Sequence, residues 1–332
     1  MSGTGIRGWA LLLVLALVLP GCLTAPGAAE AQPPGRPPRV GVLWSEFTSV
    51  PGDMFQSWLG LLGYEEGRNI AFEHRFTVDR DPAVAAQELV RLGVGVIVAI
   101  GRPAAVAAKA ATSTIPIVVA IGGDPVRAGL VSSLGRPGGN VTGVTALAPE
   151  LAGKRLEVLS RVVPGLKRVG VLWNPRDPDA REVWQETQVA ARTLGVHLES
   201  LEARGVVDLE PTLQRGARAS IGGLVVLEDR VTLANAAAVA ALAARLRMPA
   251  VYPSRYFVQP PQNGLMAYGP ISFLIARRVA SHVDRILKGA RPSELPVEQP
   301  SEVELTINLQ TAGGLGLRLP PSLLGRADKV FE

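Results

Sequence analysis

The chain has 332 residues, with 34 Lys+Arg against 29 Asp+Glu and a formal net charge of +5. At about 100–200 residues per domain this is enough for two domains or one large one. A hydrophobic fraction of 47% with 19% charged residues excludes a disordered chain, and a single Cys excludes a disulfide framework or a Cys-based metal site.

The excess positive charge does not read as a nucleic-acid surface. Only five of the basic residues are Lys, the Arg residues are spread along the whole chain, and no basic run is interleaved with aromatics. His74, His197 and His282 stand far apart in sequence, which argues against a His-rich metal centre.

The first element is an address. Arg7 precedes the apolar run Trp9–Leu19, followed by Pro20-Gly21-Cys22, the pattern of a bacterial-type export signal over residues 1–21. The run is shorter than the roughly 20 residues that span a bilayer. Leu19-Pro20-Gly21-Cys22 resembles a lipobox and makes Cys22 the expected lipidation site, with Pro20 an atypical residue there. Ala29-Glu30-Ala31 offers an alternative cleavage site, after Ala31. Residues 22–38, rich in Ala, Pro and Gly, read as a flexible tether.

From residue 39 the chain repeats itself. Arg39-Val-Gly-Val-Leu-Trp44 recurs unchanged as Arg168-Val-Gly-Val-Leu-Trp173. Gly95–Gly101 corresponds in order to Gly223–Asp229, and Ile115–Ala120 to Met248–Pro253. Two copies of one domain-sized unit follow. In the first copy, strands are expected at Val40–Trp44, Ile70–Arg75, Val94–Ile100 and Ile117–Ile121. Helices are expected between them at Met54–Leu62, Ala83–Leu92 and Ala104–Thr112. The second copy repeats this with strands at Val169–Trp173, Leu198–Leu201, Leu224–Leu227 and Ala250–Tyr252, and helices at Glu182–Leu194, Leu209–Arg218 and Ala234–Leu246. Short β-branched runs between Gly and Pro suit strands covered on both faces, so the fold class is α/β, two doubly wound parallel-sheet lobes with a ligand cleft between them.

The tail adds an amphipathic helix at Ser272–Leu287 and a strand at Val303–Leu309, which suggests that the chain crosses between lobes more than once. The expected division is 39–145 plus 270–290 for the first lobe and 146–269 plus 291–332 for the second. Ligands of such sheets bind beyond the carboxyl ends of the strands. Ser45, Arg102, Ala104 and Asp124 occupy those positions in the first lobe; Asn174, Asp229, Ser254 and Tyr268 are the candidates in the second. Arg102 opens a helix and is either an anion grip or a solvated loop residue. Asp124 and Asp229 either accept hydrogen bonds from a ligand or cap helices. Trp44 and Trp173 either stack on a ligand or close their lobes' cores.

No Gly-x-Ser-x-Gly elbow, Walker loop or HExxH occurs, so no catalytic or metal residue is assigned and no cofactor is expected. An exported hydrolase using strand-end carboxylates is the least supported reading.

Ordered motifs carry a resemblance from about Val40 to Glu332: Leu62-Gly-Tyr-Glu-Glu-Gly-Arg-Asn-Ile70, Arg136-Pro-Gly-Gly-Asn-Val-Thr-Gly-Val144, Glu150-Leu-Ala-Gly-Lys-Arg-Leu156, Val171-Leu-Trp-Asn-Pro175, Gly264-Leu-Met-Ala-Tyr-Gly269 and Leu295-Pro-Val-Glu-Gln-Pro300. The chain resembles the ABC-transporter substrate-binding proteins related to tryptophan-binding lipoproteins. The resemblance implies a type 1 periplasmic-binding fold with three crossovers. It implies binding of a small solute, an amino acid or organic anion, and its delivery to ABC permease and ATPase subunits without chemistry. The N-terminal signal makes it an exported protein, periplasmic or lipid-anchored, and a monomer is the expectation for a receptor that presents both lobes. A ligand-sensing receptor for a signalling partner is the alternative. Arg102 stands where that family places a small hydroxyl residue, and Gln259-Pro-Pro-Gln-Asn263 replaces its compact Gly-rich approach to Gly264.

Overall fold

The computed structural model describes residues 37–45, 52–77, 80–146 and 151–332. The expected signal peptide, Cys22, Ala31 and the tether through residue 36 lie outside them.

The first sheet contains β1 (Arg39–Trp44), β2 (Ala71–Phe76), β3 (Val96–Ile100), β4 (Ile117–Ile121) and β5 (Val141–Thr145), all parallel, in the order β2-β1-β3-β4-β5. Between the strands run α1 (Gly52–Leu61), α2 (Pro82–Arg91) and α3 (Arg102–Ala111). After α4 (Ala152–Val162) the second sheet is built from β6 (Arg168–Trp173), β7 (His197–Glu202), β8 (Gly223–Val226), β9 (Ala250–Tyr252) and β10 (Met266–Pro270). Its order β7-β6-β8-β9-β10 repeats that of the first sheet, and β11 (Val303–Asn308) and β12 (Lys329–Phe331) extend it. The helices of this half are α5 (Pro178–Leu194), α6 (Val206–Arg218), α7 (Arg230–Ala234), α8 (Ala236–Arg245), α9 (Ser272–Leu287), α10 (Leu309–Gly314) and α11 (Pro321–Leu324).

The repeated hexapeptide explains the architecture residue by residue. Successive strand side chains point to opposite faces. Val40 and Val42 therefore pack with Phe55, Leu59, Val279 and Val283 on one face of the first sheet, and Leu43 packs with Leu89, Ile97 and Ala104 on the other. In the second lobe Val169 and Val171 face Leu156 and Leu159 of α4, and Leu172 faces Leu213 and Val239 of α6 and α8. Both faces of each central strand are covered, as a parallel sheet requires. Gly41 and Gly170 leave room for close neighbours: a Cβ would lie 3.1 Å from Leu89 of α2 at the first, and 2.6 Å from Ile221 and from Leu201 of β7 at the second.

The terminal Trp of each copy has the same task. Trp44 Nε1 donates to His74 Nδ1 at 3.0 Å, and Trp173 Nε1 donates to Ser200 Oγ at 3.0 Å. Both acceptors lie on the neighbouring strand, two residues before the one paired with the Trp. The rings are 6% exposed and close the lobes' cores, so the stacking role on a ligand is not theirs. The bond from Trp44 fixes Nδ1 of His74 as an acceptor, and partial burial lowers that ring's pKa, which keeps it neutral.

The chain crosses between lobes after β5, after β10 and before β11. Ser272–Leu287 forms one helix as expected and packs on the first sheet. The second return lies later than residue 291. Leu295 and Val297 are buried in the first lobe's clusters, and Glu298 bridges to Val144 on the edge of β5. Three features depart from the sequence expectation. The helix expected over Ala234–Leu246 is broken at Asn235, whose side chain donates back to Val231 O at 2.8 Å. Short strands at β5 and β10 and the helix α4 were not anticipated. The second sheet is also not wholly parallel, since β10 and β11 pair antiparallel.

Candidate functional site

A cavity of about 640 Å³ lies where the carboxyl ends of both sheets' strands meet. Ser45 after β1, Gly101 and Arg102 after β3, and Ile121 and Gly122 at β4 contribute from the first lobe. Asn174 after β6, Glu228 and Asp229 after β8, Pro253 after β9 and Pro270 at the end of β10 contribute from the second. Ala146 and Pro270 mark the side on which the chain crosses between lobes.

Arg102 spans the cavity. It is the first residue of α3, and its Nε lies 2.5 Å from Asp179 Oδ1 while Nη2 donates to Glu182 Oε1 at 3.1 Å. Asp179 and Glu182 are three apart on the first turns of α5 and therefore share one face. The Arg102–Asp179 contact is a charge contact, without the alignment of a hydrogen bond at either atom. Two glycines make the approach possible. Gly101 has φ 89°, and a Cβ there would fall 1.8 Å from Ser45 Oγ, which donates to Ile100 O at 2.6 Å. A Cβ on Gly123 would fall 2.1 Å from Arg102 Nη2 and 2.5 Å from Asp179 Oδ1.

The acidic side of the cavity belongs to the second lobe. Asp177 caps α5, accepting from Asp179 N at 2.9 Å and Ala180 N at 3.0 Å, with Pro178 at the first helical position. Burial pushes the Asp177 carboxyl up, and its capping bonds oppose the shift. Burial raises Asp179 to about 6, Arg102 opposes that, and the neighbouring Asp177 and Glu182 add to it. Asp229 is pushed up to about 7, again by burial first. Its two oxygens accept from Asn174 N at 2.8 Å, Val231 N at 2.8 Å and Thr232 N at 2.9 Å. Asp229 thus caps α7 and ties the β6 and β8 ends together while one edge faces the cavity.

Four of the eight expected ligand residues line the cavity: Ser45, Arg102, Asn174 and Asp229. Ala104 is wholly buried in the first lobe's core. Asp124 is exposed and caps a turn, accepting from Val126 N at 2.8 Å and Arg127 N at 3.2 Å. Ser254 is buried one residue beyond the lining Pro253, and its Oγ has no hydrogen-bond partner. Tyr268 packs its ring on the second lobe's core and offers its carbonyl oxygen to Arg155.

Several lining or bridging residues are not among the sequence candidates: Asp179, Glu182 and Arg155, and also Arg80, Arg176, Asp177 and Arg230. Asp179 and Glu182 carried a weak signal, the Asp177-Pro178 helix start just after a strand end. Arg155 carried a better one: it falls at helical spacing with Ala152, Leu156 and Leu159, an arginine on an apolar face. Among the described residues no group of His, Cys, Asp and Glu is arranged to hold a metal ion, and no helix is long and apolar enough to cross a membrane.

Comparison with known proteins places this geometry. A family model described as ABC transporter substrate binding protein matches residues 53–331. A tyrosine-binding protein from Clostridioides difficile (strain R20291) is 25% identical over 272 residues, covering 77% of this chain and 73% of that protein. The crystal structure of the ABC domain in complex with L-Trp from Streptococcus pneumonia is 25% identical with a TM-score of 0.80, covering 89% of this chain and 100% of the other. A conserved domain protein from Vibrio cholerae O1 biovar El Tor is 27% identical, with the same TM-score and coverages. A 5-methylthioribose solute-binding protein from Thermotoga lettingae, 12% identical with a TM-score of 0.59 over 86% of this chain and 95% of that one, shares the two-lobed type 1 periplasmic-binding fold.

Proposed function

The chain belongs to the ABC transporter substrate-binding protein family, and from that premise we propose that it receives a small solute in the interlobe cavity and delivers it to an ABC permease. The observation that carries the reading is the cavity of about 640 Å³ between strand ends of two lobes, bridged by Arg102 to Asp179 and Glu182. Lobes joined by three crossovers close around a ligand as a hinge. An ion pair formed only when the lobes meet favours the closed state.

Ser45, Arg102, Asn174 and Asp229 are the proposed wall residues, with Arg102 acting in closure through its two carboxylates. The solute is an amino acid or a small organic anion. Relatives that bind tryptophan and tyrosine make those two the first candidates. Among the described residues, however, no aromatic side chain lines this cavity, which favours a smaller or more polar solute. Export with lipidation at Cys22, a monomeric receptor and the absence of turnover complete the proposal.

Thermal unfolding of the purified protein against amino acids, organic anions, sugars and nucleosides tests it. A solute at 100 times its dissociation constant adds about 2.7 kcal/mol to stability. A stabilising solute recovered unchanged after incubation supports the reading. Hydrolysis of the solute, or no stabilisation by any member of the panel, overturns it.

A further inference from the structure

Arg155 is the largest fully buried side chain among the described residues, at 1% exposure, yet it lines the cavity. It projects from α4 toward the crossover side, where Ala146, Pro253, Pro270 and Ile275 also line the wall. Its Nε donates to Tyr268 O at 2.9 Å, and Nη2 reaches Pro253 O only at 3.5 Å. Nη1 has no hydrogen-bond partner among the described residues, and no described carboxylate lies within 4.0 Å of the guanidinium. Glu228 acts on it from beyond that distance, and burial pulls its pKa down to about 10, so it remains charged at neutral pH. Room is kept for it by Gly269, where a Cβ would fall 1.7 Å from Pro253 O and 3.6 Å from Arg155 Nη2.

A buried charge with no carboxylate at salt-bridge distance is costly, and fold stability alone gives no reason to keep one. Of the other guanidiniums on the cavity wall, Arg102 is engaged by Asp179 and Glu182, while Arg80, Arg176 and Arg230 are exposed to solvent. We propose that Arg155 is the anion anchor of the cavity: the carboxylate of the bound solute docks on its open Nη1 edge at the crossover end. A planar guanidinium with one edge fixed by backbone carbonyls presents the other in a set orientation, and a carboxylate matches it in plane. Enclosure from water strengthens the pair. The assignment rests on the solute-binding reading and narrows it to solutes bearing a carboxylate.

The test is calorimetric titration of the wild-type protein with L-tryptophan, L-tyrosine, L-leucine, L-glutamate, pyruvate and succinate, each beside its amide or methyl ester. Ribose, adenosine and inorganic phosphate complete the series. The same titrations follow on Arg155→Gln and Arg155→Lys, with circular dichroism to establish folding. The expected result is a carboxylate that binds wild type, an uncharged counterpart weaker by about 10- to 100-fold, and a similar loss in Arg155→Gln with partial retention in Arg155→Lys. Equal affinity of acid and amide for wild type overturns the anchor while leaving solute binding intact, and needs no variant. So does unchanged affinity in folded Arg155→Gln, or binding of only ribose, adenosine or phosphate. Failure of every probe to bind wild type overturns the solute-binding reading and the anchor with it.

Discussion

Asp179 and Asp229 are carboxyls whose burial outweighs the groups that stabilise their ionised forms. For Asp179 the folded pKa is raised from 3.8 to about 6. Between those values the folded protein holds a proton that the unfolded chain has released, so stability falls as pH rises through that window. Above about 6 the penalty is complete, and below 3.8 it is absent. Glu88 and Glu302, held down chiefly by a side-chain bond from Arg75 and by a backbone hydrogen bond respectively, act in the opposite sense. A difference measurement isolates Asp179. The stability of wild type relative to Asp179→Asn is expected to drop by about 1–3 kcal/mol between pH 4 and pH 7. Urea unfolding at intervals across that range measures it, and a difference that does not change with pH removes Asp179 as the cause.

Strand-end geometry at the scale of elements depends on a few close approaches. Strand β5 is short, and Gly143 within it has φ 137° with Val119 O of β4 only 2.2 Å from where a Cβ would stand. Its carbonyl oxygen also accepts from Glu298 N at 2.8 Å, which holds the returning segment against the sheet edge. Gly143→Ala combines a backbone conformation unfavourable to L side chains with a clash against backbone, which does not yield as a side chain would. The expected cost is about 2–3 kcal/mol, read as a lower urea midpoint, with faster hydrogen exchange at β4 and β5. A variant as stable as wild type refutes the close approach. Gly60, with nothing within 4 Å of a would-be Cβ, is the control position for the same substitution.

Across the whole molecule, the Arg102 pairs join α3 of one lobe to α5 of the other, while Asp229 and Asn174 bond within their own lobe. Removing the guanidinium abolishes the attraction of α3 for Asp179 and Glu182 on α5, an attraction that acts only when the lobes are closed. Arg102→Ala is therefore expected to shift the ligand-free protein toward the open state, with a larger radius of gyration in small-angle X-ray scattering and little change in the lobes' own stability. A population shift from mostly closed to mostly open needs only about 1–3 kcal/mol, within what loss of a partly buried charge-assisted pair supplies. Scattering curves that superimpose for wild type and variant rule out the latch.

The repeated Arg-Val-Gly-Val-Leu-Trp determined the architecture from the sequence alone. Its alternation dictates which residue meets which helix, and both copies obey it down to the Trp hydrogen bond. Helix starts were less legible: the helices expected from Ala83 and Glu182 begin at Pro82 and Pro178, capped by Asp81 and Asp177. The cavity was half legible. Strand ends named Ser45, Arg102, Asn174 and Asp229, because a doubly wound sheet fixes where its loops emerge. The same rule also named Ala104 and Asp124, which pack into a core and cap a turn, since the direction of a side chain depends on local dihedrals that a pattern does not fix. Only the tertiary structure paired Arg102 with Asp179 and Glu182 across about 80 residues of chain, and only it left Arg155 buried with no described carboxylate within 4.0 Å. Charge pairing is decided by proximity in space, and sequence periodicity records only which face of its own element a residue occupies.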